Sequence, residues 1–317
     1  MSAVPQLPRR YDLDFFSVGQ ISLDTIVDHR GPHGPIPGGG ALYPAVVATQ
    51  LGLRSAVYGK VGEDFPSQAL AKLGATGVNI EAVQKVQGET ARLTIDYLDE
   101  IEEKVSVVPG VGYELSGEEI PEVFFNSRVI HVSTLRGPFL GKFLERARVE
   151  ENTLISFAPK SDLRQESAED VAALLSKVDA LFCNEFEIGL YSAGQSMEQR
   201  LVELANKGPK LVVVTLGERG SLIFADQRVH RINALQLSSI TNLCGAGDAY
   251  LAGFWCAYLR GWPLPDCGAF ASTVAVSVMR GYGVPLDRDI FAEILADRFC
   301  QEILTKPLEA TSHHQGG

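Results

Sequence analysis

Five short runs of this chain are apolar at consecutive positions rather than alternate ones. They are Phe15-Phe16-Ser17-Val18, Val129-Ile130-His131-Val132, Leu154-Ile155-Ser156-Phe157, Ala180-Leu181-Phe182-Cys183 and Leu211-Val212-Val213-Val214. A strand of that kind is buried on both faces, so helices must cover both sides of its sheet. The sequence provides them. Helical stretches are expected at 41–51, 65–73, 139–150, 168–177 and 198–206, then at 250–260, 266–279 and 289–304. Strands alternating with helices imply a parallel, two-sided α/β sheet with right-handed crossovers.

Some segments depart from that alternation. Arg92-Leu93-Thr94-Ile95-Asp96-Tyr97-Leu98 is apolar at every second residue, and a charged turn, Asp99–Lys104, joins it to Val105–Val108. This reads as a hairpin with one solvated face, in a small sheet outside the main layer. Val83–Val86, Ser221–Phe224 and Arg228–Ile232 also read as strands, and His29–Pro37, rich in Gly, Pro and His, as an irregular link.

Composition excludes several functions. The net charge of -11 argues against general binding to nucleic acid or an anionic membrane. No apolar run approaches the length of a membrane span, and residues 1–10 lack the apolar centre of a secretory signal. The five cysteines, Cys183, Cys244, Cys256, Cys267 and Cys300, form no CxxC pair. Buried free thiols in a reducing cytoplasm are the expectation, with Cys244 as a possible alkylation target. His29, His33 and His131 are expected to be loop or packing residues.

The chemistry centres on Gly245-Ala246-Gly247-Asp248, between a short apolar segment (Leu235, Leu237, Ile240) and a long apolar run. Unpaired N–H groups and the dipole at a helix start favour an anion. A carboxylate placed there repels phosphate, so it makes sense as a base beside a phosphate in transfer. Read locally, the same residues could be an ordinary Gly-rich cap with a first-turn acid. Elsewhere, Asp24 follows the end of the first strand, where open parallel sheets gather ligands. It is either a grip on hydroxyls or a solvated loop acid. Gly38-Gly39-Gly40 before a helix is not a dinucleotide fingerprint, since a third glycine and a later acid at the right spacing are missing. Lys160, after Ala158-Pro159, could meet an anionic group or simply be solvated.

Taken together these segments resemble the ribokinase-like (PfkB) carbohydrate kinases along nearly the whole chain. The resemblance rests on Gly245-Ala246-Gly247-Asp248 followed by Gly253-Phe254, on Gly38-Gly39, Gly62-Glu63-Asp64-Phe65 and Asn184-x-x-Glu187, and on Thr215-Leu216-Gly217-x-x-Gly220. It implies a three-layer αβα fold with a mostly parallel central sheet and a small β-sheet lid from about 21–37 and 88–112. The domain would run over 11–306, with loose tails at 1–10 and 307–317. It implies ATP-dependent phosphorylation of a hydroxyl on a sugar, sugar acid, cyclitol or nucleoside. Asp248 would be the base, and the N–H groups of Gly245, Ala246 and Gly247 the anion hole. Asp24, Gly38, Gly39 and Tyr43 would face the substrate. Asn184, Glu187, Thr215, Gly217, Gly220 and Ser272 would face the nucleotide, with Glu187 reaching Mg²⁺ through water. A lid-paired homodimer is a further implication. Two departures stand out: Asn242 replaces the acid that helps hold a monovalent cation, and Tyr43 replaces a sugar-binding Asn. A binding or regulatory protein, or a kinase of a vitamin-like hydroxymethyl compound, remain alternatives.

Overall fold

The computed structural model describes residues 12–97, 104–113, 115, 117–133, 138–148, 152–160, 167–235 and 240–308. The expected tails apart from 307–308, the expected turn apart from Lys104, and residues 236–239 lie outside the described residues. In chain order, β1 (Leu13–Gly19) is followed by β2 (Ser22–Asp28), β3 (Gly31–Gly38), α1 (Leu42–Gln50), β4 (Ser55–Val61), α2 (Ser67–Ala75) and β5 (Val83–Lys85). Then come β6 (Ala91–Asp96), β7 (Lys104–Val108), β8 (Ser127–Ser133), α3 (Pro138–Ala147), β9 (Leu154–Ala158), α4 (Ala168–Leu175) and β10 (Ala180–Asn184). The C-terminal part holds α5 (Glu185–Tyr191), α6 (Met197–Asn206), β11 (Leu211–Thr215), β12 (Ser221–Ala225), β13 (Arg228–Ile232), α7 (Ala246–Tyr258), α8 (Leu264–Val278), α9 (Ile290–Ile294) and α10 (Arg298–Thr305).

Nine strands form one sheet in the order β13-β12-β11-β10-β9-β8-β1-β4-β5. All neighbours pair in parallel except β11–β12 and β12–β13. The fully buried strands sit in the middle, as their unbroken apolar runs require. Side chains alternate between two cores: Phe15 and Val213 face α1, α7 and α8, whereas Phe16 and Val212 face α3 to α6. Helix α7 is buried on nearly all sides, which matches its apolar composition. From β1 the chain first adds strands on one side (β4, β5) and later on the other (β8 to β13). β1 and β8 therefore flank the point where strand order reverses, and open α/β sheets bind ligands beyond the C-terminal strand ends at such a point.

The lid is a separate four-stranded sheet, β3-β2-β6-β7. Its strands lie within 22–38 and 91–108, and one of them was not expected. The segment read as an irregular link is largely β3, GPHGPIPG, paired antiparallel to β2. Pro is tolerated there because β3 is an edge strand, where the missing N–H removes no ladder bond. Val83–Lys85 pairs with β4 in the main sheet rather than with the lid. The single helix expected over 289–304 is two, because Asp297 breaks it: its carboxylate accepts the N–H groups of Phe299 and Cys300 and starts α10.

The Gly62–Phe65 motif roots the lid. Asp64 accepts the backbone N–H of Thr90 at 2.8 Å and its hydroxyl at 2.7 Å, and pairs with Arg92 of β6 at 2.6 Å. A second tie joins the lid to the C-terminal half. Asp28 accepts the Tyr282 hydroxyl at 2.5 Å and meets His33 at 3.1 Å, while the His33 ring stacks on Tyr282 at 3.9 Å.

Candidate active site

The candidate site lies at the C-terminal ends of β1, β9, β10 and β11, beside the start of α7. Asp24 lies just beyond β1, at a register shift in β2 between Asp24 and Ile26. Bulges of this kind re-aim side chains beside active sites. The carboxylate is 2% exposed and accepts the Ser22 hydroxyl at 2.6 Å. Gly38 and Gly39 make room for it. A Cβ on Gly38 would lie 1.8 Å from Asp24 Oδ2, and one on Gly39 2.4 Å from the Gln20 carbonyl. The glycines thus seat Asp24 and bring the chain past it into α1. Burial pushes the Asp24 carboxyl up to about 6; the Ser22 bond opposes the rise and the Asp248 charge adds to it.

Asp248 stands in the first turn of α7, 7% exposed. The helix starts from Gly245 at φ 80°, and a Cβ there would lie 2.2 Å from Tyr43 Cε1. Left-handed backbone and close approach together leave no room for a side chain. Tyr43 is buried and its ring lies beneath that turn, with its hydroxyl 3.5 Å from Cys244 Sγ. Its ring packs against Gly245. The N–H of Ala246 is taken by the Leu243 carbonyl at 3.2 Å. Those of Gly245 and Gly247 have no hydrogen bond among the described residues. The side of Gly247 is open, with nothing within 4 Å of a would-be Cβ.

Asn242 clamps this turn. Its Oδ1 accepts the Cys244 N–H at 2.5 Å and its amide donates to the Gly281 carbonyl. Cys244 does not suit alkylation: it is buried, and burial together with Asp24 pushes its thiol up to about 12.

At the end of β10, Asn184 and Glu187 cap α5 reciprocally. Asn184 Oδ1 accepts the Glu187 N–H at 2.7 Å, and Glu187 Oε2 accepts the Asn184 N–H at 2.8 Å. Burial raises the Glu187 carboxyl, with Lys160 opposing. Thr215 ends β11 and Gly217 follows in an open turn. Gly220 is buried against the Ile232 carbonyl, so it shapes the turn. Ser272 donates to the Gly268 carbonyl within α8.

Lys160 is not merely solvated. Its Nζ lies 2.8 Å from Asp248 Oδ1. Beneath it, His131 is wholly buried, Nδ1 3.1 Å from Ser156 Oγ, which also accepts from Trp255 Nε1 at 3.0 Å. Burial, then Lys160, lowers His131 to about 3, so it is neutral and packs against Phe15.

The comparisons with known proteins fit this geometry. The family model for pfkB family carbohydrate kinases matches residues 28–287. The chain belongs to that family. Among curated relatives of this pfkB kinase, a nucleoside kinase of Methanothermobacter thermautotrophicus is 31% identical over 286 residues, covering 86% of this chain and 91% of that one. A cytidine kinase of Thermococcus kodakarensis is 29% identical over 274 residues, covering 86% and 98%. Among solved structures, adenosine kinase from Sinorhizobium meliloti superposes with a TM-score of 0.79 at 23% identity, covering 91% and 100%. The fold is therefore ribokinase-like, and the protein is a kinase acting on a small substrate.

The donors present suit a magnesium nucleotide. At Gly247 and Gly217 nothing lies within 4 Å of a would-be Cβ, which leaves phosphate oxygens access to both turns. Mg²⁺ carried in with such a nucleotide would be held by its phosphates and water.

Proposed function

We propose that this kinase uses ATP to phosphorylate a hydroxyl of a nucleoside, with Asp248 as general base. The observation that carries the reading is a pair of buried carboxylates, Asp24 on lid strand β2 and Asp248 at the start of α7. Asp24 would accept hydrogen bonds from the acceptor's hydroxyls and orient it. Asp248 would take the proton of the attacking hydroxyl. The free N–H groups of Gly245 and Gly247 would hold the charge that develops on the transferred group. Bound ATP supplies that phosphoryl group, and Mg²⁺ neutralises its charge. Asn184, Glu187, Thr215 and Gly217 would line the nucleotide side, and Glu187 would hold metal-bound water. The lid would exclude water, the competing acceptor. The nucleoside reading is supported by the nucleoside and cytidine kinases among the relatives.

Asn242 leaves a bridging monovalent cation little to do, because its amide already joins the turn at Cys244 to the carbonyl of Gly281. Exposed Val105, Val107 and Val108 on lid edge strand β7 support a lid-paired homodimer, which light scattering would test.

A coupled ADP-release assay on nucleosides, sugars, cyclitols and hydroxymethyl vitamins tests the acceptor. The reading expects nucleosides to give a kcat/KM at least tenfold above every other class. A sugar or vitamin preferred over all nucleosides overturns the acceptor; no turnover with intact ATP binding favours a binding protein.

A further inference from the structure

Lys160 follows β9 at the same C-terminal edge of the main sheet as Asn184 and Thr215. Its backbone is left-handed, φ 53°, a conformation that residues with side chains adopt at a cost. That cost is spent on aim, since the side chain turns inward and sets its ammonium 2.8 Å from Asp248 Oδ1. An ordinary surface ion pair contributes little and has no need of a strained backbone. Lys160 is also not sealed in: its side chain is 37% exposed, so a ligand can reach it. Around it stand groups from separate elements. Burial works against its charge, but Asp248 of α7 and Glu187 of α5 outweigh that and raise it, and Cys244 before the anion-binding turn adds. The ammonium is thus a positive charge among the carboxylates that a polyanionic nucleotide would otherwise meet unscreened.

We propose that Lys160 is a further catalytic residue, whose ammonium neutralises Asp248 in the resting site and donates to the transferring phosphoryl oxygens during reaction. This rests on the reading of Asp248 as the base. In transfer the acceptor hydroxyl gives its proton to Asp248, and its oxygen bonds to the γ-phosphorus. The bond from that phosphorus to the bridging oxygen breaks, and the electron pair leaves on ADP. Lys160 keeps its proton throughout. By moving onto the phosphoryl oxygens it frees Asp248 to accept one, so a single cation serves both states.

The test uses Lys160→Met, Lys160→Cys and Asp248→Asn in the full chain, with thermal unfolding to check folding. Lys160→Met should lower kcat about 100- to 1000-fold, with the acceptor KM changed less than about threefold. A second readout needs no turnover. Calorimetry should show the complex with ADP, aluminium fluoride and acceptor weakened about 100-fold, with ADP alone unaffected. Lys160→Cys should be inactive until treated with 2-bromoethylamine, which rebuilds an ammonium of nearly the same reach. The five native cysteines are buried, so the alkylation is selective. Recovery in the same polypeptide also removes misfolding as an explanation. Lys160→Met with wild-type kcat overturns the proposal. A raised acceptor KM at unchanged kcat also overturns it, making Lys160 a clamp on an anionic acceptor. An active Asp248→Asn beside an inactive Lys160→Met would sink the base assignment and leave Lys160 as the phosphoryl ligand.

Discussion

Replacing Asp24 by Asn should stabilise this protein near neutral pH and cripple it as a kinase. Asp24 is 2% exposed, and its carboxyl is held at about 6 against an ordinary value of 3.8. At about 1.36 kcal/mol per pH unit, that rise means the buried charge costs roughly 3 kcal/mol at neutral pH. The sign follows from proton binding. Between about 3.8 and about 6 the folded state holds a proton that the unfolded state has lost. Stability from that proton is fully present at low pH and is lost as pH rises through about 6. Asn carries no charge to bury, and its carbonyl can still accept from Ser22. The amide also presents N–H where Asp24 accepts the backbone N–H of Gly39. That penalty is independent of pH, so the pH dependence isolates the ionisation. Urea unfolding of both proteins at pH 4, 6 and 8 is the assay. The stability of the variant relative to wild type should rise by about 2 kcal/mol from pH 4 to pH 8. A flat difference, or one of opposite slope, refutes the argument that burial dominates Asp24. The acceptor kcat/KM should fall about 10- to 100-fold, the loss of charge-assisted hydrogen bonds. Stability and function oppose each other at this residue.

Other outcomes follow from the anion-binding turn. Gly245→Ala combines a left-handed backbone with a Cβ 2.2 Å from the Tyr43 ring, so it should cost about 3 kcal/mol and most of the activity; an unchanged melting temperature by calorimetry would contradict the packing. Asn242→Ala strips the buried Cys244 N–H and Gly281 carbonyl of their partner, at about 1–3 kcal/mol for each group, and kcat should fall while the acceptor KM holds. In the wild type, exchanging KCl for tetramethylammonium chloride should change kcat less than about twofold. A tenfold loss would show that Asn242 does not stand in for a bridging cation.

Much of the fold was legible because its signals are local. Unbroken apolar runs such as Leu211–Val214 specify strands covered on both faces, and the alternation over Arg92–Leu98 marked a sheet with one wet face. Strand β3 was illegible because its Pro and Gly residues are those of a loop; only its edge position beside β2 makes them acceptable. The break at Asp297 was legible in principle, as a capping acid inside an apolar periodic stretch. At the site, the order of Gly245–Asp248 and Asp24 along the chain carried the family resemblance, and both carboxylates prove to be buried. The glycine pair Gly38-Gly39 was readable as a close approach, but not as a seat for Asp24. Lys160 was not readable, since its partner lies 88 residues away and the contact depends on how β9 ends. Tyr43 looked like a binding residue because an aromatic ring serves binding and packing equally well in sequence; its burial beneath Gly245 is a tertiary fact.

The proposed phosphoryl transfer depends on Asp248 as the base. Asp248→Asn keeps the shape of the α7 turn and removes the proton acceptor. Steady-state ADP release with the best nucleoside should fall about 1000-fold, the middle of the range usual for loss of a general base. Calorimetric ADP affinity should stay within about threefold of wild type. An Asp248→Asn protein that turns over at the wild-type rate would rule out Asp248 as the base.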